Sequence, residues 1–193
     1  MIPILQKNHT FTGNPNILLY NSFLTEEIIH DCYSIIRSYI NKHRLNNNKY
    51  SPSTNQIILI NTKYPTLFNK LVLLLQQKIT FNKDDLTLYF NIMTKNSAIS
   101  EHRDEHLKFS ITIYLNQHWQ QDFGGIFHFT TDNNIQKTFV PTFNDLIILT
   151  NTPHSVSKTI TDQLRITIQG GCKNNIYYKN QIVDNHFFHF TNP

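Results

Sequence analysis

The sequence predicts a mainly β fold with flanking helices, and three observations carry that reading. Residues 109–116 alternate, with Phe109, Ile111, Ile113 and Leu115 on one face and Ser110, Thr112 and Tyr114 on the other. That is the period-2 signature of a half-buried strand. Residues 164–168 repeat it, setting Leu164, Ile166 and Ile168 against Arg165 and Thr167. Helical periodicity is confined to two stretches of the N-terminal half, at about 25–42 and 65–79.

The elements follow in order. Residues 17–20 form a short apolar strand. Thr25 caps a helix whose first turn carries Glu26 and Glu27, where carboxylates meet the positive end of the helix dipole. Leu24 and Ile29 are spaced as a hydrophobic staple. The helix runs to about Lys42, with Ile28, Cys32, Ile35, Ile36 and Tyr39 on its buried face. A polar loop at about 43–55 includes the run Asn46, Asn47, Asn48, which reads as compositional drift. Residues 57–60 form a strand, and Pro65 opens a second helix through Leu71–Leu75 to Ile79. The strand 86–93 leads toward His102. Gly124 and Gly125 turn the chain into a strand at 126–129. Pro141 and the Asn144-Asp145 turn precede the apolar run 146–149, as expected for a strand covered on both faces. The aromatic tail, Tyr177, Tyr178 and 186–190, reads as a closing strand or packing tail ahead of a substrate-binding or dimer-forming element.

The chain has 193 residues and a mass of 22.8 kDa, with neither repeats nor a linker, so one domain spanning 1–193 is expected. The net charge is +4 and the isoelectric point about 9.0, but no Lys/Arg cluster stands out, so a nucleic-acid partner is not expected. Cys32 and Cys172 form no metal-spaced pair and read as reduced thiols, which points to the cytoplasm. The first residues lack the pattern of a cleaved leader, and no apolar run is long enough for a membrane span.

Chemistry concentrates in His102, Asp104, His154 and Arg165. Residues two apart on a strand share a face, so His102 and Asp104 can reach one ion from a single strand, with His154 arriving from another. Two imidazoles and a carboxylate suit non-haem ferrous iron and leave the opposite positions open. The planar fork of Arg165 suits a carboxylate-bearing co-substrate. Taken alone, 101–105 also reads as a solvated charge cluster. His106 is a rival ligand at the same spacing from Asp104. His118 reads as an exposed turn residue. His128 reads as a hydrogen-bonded structural residue ahead of a cleft-lining one.

Taken together, His102-x-Asp104, Ile113-Tyr114-Leu115-Asn116 with Trp119, Gly124-Gly125, Pro141-x-Phe143, Pro153-His154-x-Val156 and Arg165 resemble the Fe(II)/2-oxoglutarate-dependent dioxygenases, and among them the prolyl hydroxylases. The resemblance implies a double-stranded β-helix, or jelly-roll, with the N-terminal helices packed on one sheet and a catalytic core at about 86–171. It makes His102, Asp104 and His154 the iron ligands and catalytic residues. It makes Arg165 the partner of the distal carboxylate of 2-oxoglutarate, Tyr114 a second donor to it, and Thr167, by strand parity, a third candidate. It implies O2 as co-substrate and ascorbate as an optional reductant. Two features depart from subgroup patterns. Gln169 stands where hypoxia-sensing members carry Thr, and Arg165 stands at the spacing at which collagen-type members carry Lys. Halogenating relatives lack the carboxylate ligand, so Asp104 implies hydroxylation. The expected substrate is a prolyl residue in a protein or peptide. A free amino acid is the alternative, and a non-catalytic jelly-roll binding protein the second alternative. Nucleobase demethylation is disfavoured, because no further Arg follows Arg165.

Overall fold

In the computed structural model, residues 9–10, 16–43, 55–131 and 134–173 are described. Among these residues eleven strands are defined in chain order: β1 His9–Thr10, β2 Ile17–Tyr20, β3 Asn55–Leu59, β4 Leu86–Met93, β5 Ile99–His102, β6 Leu107–Tyr114, β7 Phe127–Thr130, β8 Gln136–Phe139, β9 Leu146–Leu149, β10 His154–Val156 and β11 Arg165–Lys173. The helices are α1 Glu26–His43, α2 Ile60–Lys63 and α3 Pro65–Gln76. The strands form a larger sheet in the order β1-β2-β9-β6-β11-β4-β3 and a smaller one in the order β5-β10-β7-β8. All of the described strand pairings are antiparallel. This is the mainly β, jelly-roll arrangement that the sequence predicts.

The alternation of the strands decides where each face goes. Leu86, Leu88, Phe90 and Ile92 of β4, Phe109, Ile111 and Ile113 of β6 and Ile168 of β11 join Ile28, Cys32 and Ile36 of α1 and Leu67, Leu71 and Leu75 of α3 in one core. The helices therefore cover the outer face of the larger sheet. A second, smaller core lies between the sheets, where Ile17, Met93, Tyr114, Ile147 and Leu149 meet Phe127, Phe129 and Val156. Both sides of β9 are used, which accounts for its unbroken apolar run: Leu146 and Ile148 face the helices, Ile147 and Leu149 the opposite sheet.

Several boundaries differ from the sequence reading. Helix α1 ends at His43, and the Thr25 hydroxyl accepts the Ile28 amide at 3.4 Å as the cap requires. Ile60 opens α2 instead of closing a strand, and α3 stops at Gln76 rather than Ile79. Strand β11 runs on to Lys173, and β8 was not expected at all. Cys32 and Cys172 are free and buried. Most of the polar loop at 43–55 and the aromatic tail lie outside the described residues. Among the described residues, no helix is long and apolar enough to cross a membrane.

Candidate metal centre

Strands β5 and β10 pair with His154 directly opposite His102. Side chains of such a pair leave the sheet on the same face, and the two rings sit with centroids 4.3 Å apart at an interplanar angle of 52°. Asp104 is not on the strand, as simple parity assumed. It lies two residues past the end of β5, in a turn closed by the Leu107 amide donating to the Asp104 carbonyl at 2.9 Å. That turn swings the carboxylate back between the imidazoles. His102 Nε2 is 3.8 Å from Asp104 Oδ1, and His154 Nε2 is 3.7 Å from Asp104 Oδ2. One ligand atom from each of the three residues falls within 4.8 Å of the others, so the set could hold a metal ion.

The far side of each ring is already committed. His102 Nδ1 lies 2.8 Å from the Ser100 carbonyl, and His154 Nδ1 lies 2.8 Å from the Thr152 carbonyl. A carbonyl only accepts, so in each ring Nδ1 carries the proton and Nε2 presents its lone pair to Asp104. Backbone carbonyls that fix the tautomer are the usual outer support of a metal-binding imidazole. Burial pushes the pKa of His154 below its ordinary value, against the opposing pull of the Thr152 carbonyl, which favours the neutral ring a metal needs. Beside the triad, Glu101, His102, Arg103, Glu105, Thr130, Asn134 and Pro153 line a cavity of about 430 Å³.

Deeper in, the inner face of the larger sheet is polar. Arg165 is 1% exposed. Its Nε donates to the Gly125 carbonyl at 2.9 Å and its Nη1 lies 3.3 Å from Met93 Sδ, while its guanidinium carbon stands 5.4 Å from the Tyr114 ring centroid. Gly125 has φ +62°, and a Cβ there would come within 2.7 Å of Arg165 Cδ. The glycine turn thus presents a carbonyl to Arg165 and leaves room for its stem. Among the described residues, four buried side-chain polar atoms have no hydrogen-bond partner: Arg165 Nη2, Tyr114 Oη, Thr167 Oγ1 and Asn91 Oδ1. Buried polar atoms are nearly always paired, and leaving one unpaired costs roughly 1–3 kcal/mol. A cluster of them, with a cation among them, suits an anionic ligand. Burial raises the pKa of Tyr114, with the charge of Arg165 opposing, so the phenol stays a donor.

The three co-substrate residues expected from the sequence, Arg165, Tyr114 and Thr167, therefore share one wall, with Thr167 paired in register to Tyr114. The sequence reading passed over Asn91 and Tyr89. Both stand on the inner face of β4, opposite Leu88, Phe90 and Ile92. Burial, and then the nearby Asp104 carboxylate, pushes the Tyr89 phenol up to about 12. A polar side chain in phase with Tyr89 and Met93 on an otherwise apolar strand was the available signal. His106 and His118 are exposed, and neither joins the triad. His128 faces away from buried Phe127 and Phe129 and bonds Thr138 Oγ1 at 3.1 Å, the structural role expected for it.

Comparison with known proteins agrees with this fold. Residues 88–173 match the family model of the 2OG-Fe(II) oxygenase superfamily. Among solved structures, a prolyl-4-hydroxylase from Pseudomonas putida is similar at 17% identity, over 83% of this chain and 93% of that one, with a TM-score of 0.62. A prolyl hydroxylase from Trichoplax adhaerens, in complex with a hypoxia inducible factor oxygen degradation domain peptide fragment, is similar at 16% identity, over 82% and 83%, with a TM-score of 0.62. HygX from Streptomyces hygroscopicus, with nickel and 2-oxoglutarate bound, is similar at 12% identity, over 83% of each chain, with a TM-score of 0.58. No curated protein sequence matches the chain.

Proposed function

We propose that this chain is a 2-oxoglutarate-dependent oxygenase, a reading supported by the match of residues 88–173, and that it hydroxylates a prolyl residue in a protein or peptide. The observation that carries the catalytic part is the pairing of a His102, Asp104, His154 triad with a buried, unsatisfied Arg165 wall. A metal site alone needs no buried guanidinium, and a binding-only jelly-roll needs no triad. The prolyl assignment is supported by the likeness to two prolyl hydroxylases.

In this reading His102 Nε2, His154 Nε2 and an Asp104 oxygen hold ferrous iron. Arg165 donates to the far carboxylate of 2-oxoglutarate through Nη2, aided by Tyr114 Oη and Thr167 Oγ1. Bound iron would activate O2 as the oxidant, with 2-oxoglutarate supplying two electrons as it is converted to succinate and carbon dioxide, one oxygen atom going to succinate and the other to the substrate. The protein's own work is positional. Carbonyls of Ser100 and Thr152 hold the Nδ1 side of both imidazoles and aim Nε2 toward Asp104. Phe127, Phe129 and Val156 keep the interior between the sheets dry. Substrate enters over the 101–105 segment, where Glu101, Arg103 and Glu105 give the mouth charges of both signs. That mixed lining favours a second reading, a free zwitterionic amino acid as substrate. We read the chain as one domain. We place it in the cytoplasm, on its two free thiols.

The test is succinate release from protein supplied with iron, 2-oxoglutarate and ascorbate, against proline-containing peptides and free amino acids, with mass spectrometry for a gain of one oxygen. Oxygen gained on a peptide proline is the expected result. Oxygen gained only on free amino acids selects the second reading, and no succinate above a His154→Ala control refutes both.

A further inference from the structure

Strands β4 and β11 lie side by side with Arg165 opposite Met93, Thr167 opposite Asn91 and Gln169 opposite Tyr89. These three rungs share the inner face and step along it by two residues, roughly 6.6 Å per rung. Arg165 meets the Gly125 carbonyl just before the Phe127–Val156 pair, whereas His154 of the triad pairs with Phe129 farther along β7, so the Gln169–Tyr89 end of the ladder is the one that runs toward the metal triad. Arg165 ends the ladder on the other side. A 2-oxo acid stretched from the triad to Arg165 therefore passes the middle rung, which holds Thr167 and Asn91.

Asn91 is 3% exposed. Its Nδ2 donates to Gln169 Oε1 at 3.0 Å, and its Oδ1 is left without a donor. An acceptor is the wrong group to offer a carboxylate. The two ends of an amide are nearly the same shape, however, and which end is oxygen follows from the hydrogen bonds it must make. If both amides reverse, Gln169 Nε2 donates to Asn91 Oδ1, and the Asn91 NH2 turns into the pocket. The Asn91–Gln169 bond survives, the orphan acceptor disappears, and a donor faces the anion. The reversal exchanges the orphan acceptor for a donor, which the bound anion then satisfies, without moving the backbone.

We propose that Asn91 is a co-substrate-positioning residue, donating through Nδ2 to the 2-oxo acid end of 2-oxoglutarate, with Gln169 setting the polarity of its amide. This rests on the reading of the site given above and adds to it a residue pair that acts on the opposite end of the co-substrate from Arg165. Gln169 acts through Asn91 and makes no contact of its own with the ligand.

The experiment is calorimetric titration of the manganese-loaded 193-residue chain, where no turnover occurs, with 2-oxoglutarate and with 2-oxopentanoate, which lacks the far carboxylate. Asn91→Asp is expected to weaken both ligands by roughly tenfold or more, the range for a lost hydrogen bond to a charged group. Asn91→Leu should do the same more mildly. Gln169→Glu can only accept, so it holds the Asn91 amide with its oxygen toward the pocket and is expected to weaken both ligands as well. In an Asn91→Leu background, Gln169→Glu should add nothing, which separates amide orientation from simple charge repulsion. Manganese stoichiometry and melting temperature verify that each variant is folded. Wild-type affinity in Asn91→Asp and Asn91→Leu would overturn the proposal. So would a Gln169→Glu effect that persists in Asn91→Leu, or loss confined to 2-oxoglutarate. Wild-type protein that binds neither ligand would instead refute the function proposed above, and the amide assignment with it.

Discussion

Replacing Arg165 with Met separates the role of its charge from the role of its stem. Met fills much of the space of the aliphatic part, so packing against Met93 and Tyr114 is largely kept. In the ligand-free protein two effects oppose each other. The Gly125 carbonyl loses the 2.9 Å bond from Nε, and an unsatisfied buried carbonyl costs roughly 1–3 kcal/mol. Against this, a guanidinium that is 1% exposed and has an unpartnered Nη2 no longer has to be kept out of water, which recovers an effective penalty of roughly several kcal/mol per ion after relaxation. The expected change in unfolding free energy is therefore small, within about 2 kcal/mol of zero.

Ligand binding has no such compensation. A hydrogen bond between charged partners contributes about 1.5–3 kcal/mol, and at about 1.4 kcal/mol per decade the loss of one such bond weakens 2-oxoglutarate by roughly tenfold to more than a hundredfold. Manganese affinity should not move, because His102, Asp104 and His154 make up the metal set without Arg165. Calorimetric titration of manganese, then of 2-oxoglutarate into the loaded protein, measures both terms, and thermal melts of the apoprotein measure the third. An Arg165→Met protein that binds 2-oxoglutarate as tightly as wild type would remove Arg165 from the co-substrate site. One that loses manganese would show that the metal and Arg165 are not separable as argued.

The remaining expectations are briefer. His102→Ala, Asp104→Ala and His154→Ala should each abolish manganese binding by calorimetry and succinate formation, while His106→Ala keeps both; the opposite outcome for His106 and His154 would reassign the triad. Tyr114→Phe should move two quantities in opposite directions: the unpaired buried hydroxyl disappears, raising the apoprotein melting temperature, while 2-oxoglutarate binds several-fold more weakly. A variant that loses both would mean the hydroxyl is structural. Apoprotein stability should fall on acidification, because His154 has a folded pKa below its ordinary value of 6.5 and the unfolded chain takes the proton first. Its contribution is fully present above about 6.5 and is lost as the pH drops below that. Urea midpoints against pH check this, with His154→Gln expected to flatten that part of the slope.

Most of the fold was legible because its strands carry side chains of opposite character on opposite faces. The 109–116 alternation placed Tyr114 on the same interior as Arg165 and Thr167, and the structure puts Tyr114 and Thr167 in register. Strand β8 was missed because Gln136, Lys137, Thr138 and Phe139 form a largely polar edge of the smaller sheet, with little apolar stripe to read. Asp104 came into the triad by a route that strand parity does not describe, since a turn rather than a pleat carries it. Asn91 was placed correctly in its strand, and its phase with Tyr89 and Met93 sets it on the face opposite Leu88, Phe90 and Ile92, but the strand alone does not say whether that face meets a ligand or water. Its burial becomes visible only once β11 lies beside β4 and the smaller sheet closes over both.

The two sheets carry different kinds of chemistry for a physical reason. The larger sheet buries its outer face under α1 and α3, and that core holds its strands in register from Leu86 to Cys172. A rigid inner face can therefore hold buried groups that are costly to leave unpaired, such as Arg165 and Asn91, because the sheet does not relax to satisfy them. The smaller sheet has four short strands and contributes mainly Phe127, Phe129 and Val156 to the core between the sheets. Its β5 and β10 supply His102 and His154, and the third ligand arrives from the turn that follows β5. A metal ion there would tie β5, β10 and that turn together, adding its binding free energy to the smaller of the two sheets. The co-substrate would then join the metal on the smaller sheet to Arg165 on the larger one. Loading should on this argument stabilise the protein in two steps, with manganese first and 2-oxoglutarate adding to it only when Arg165 is intact.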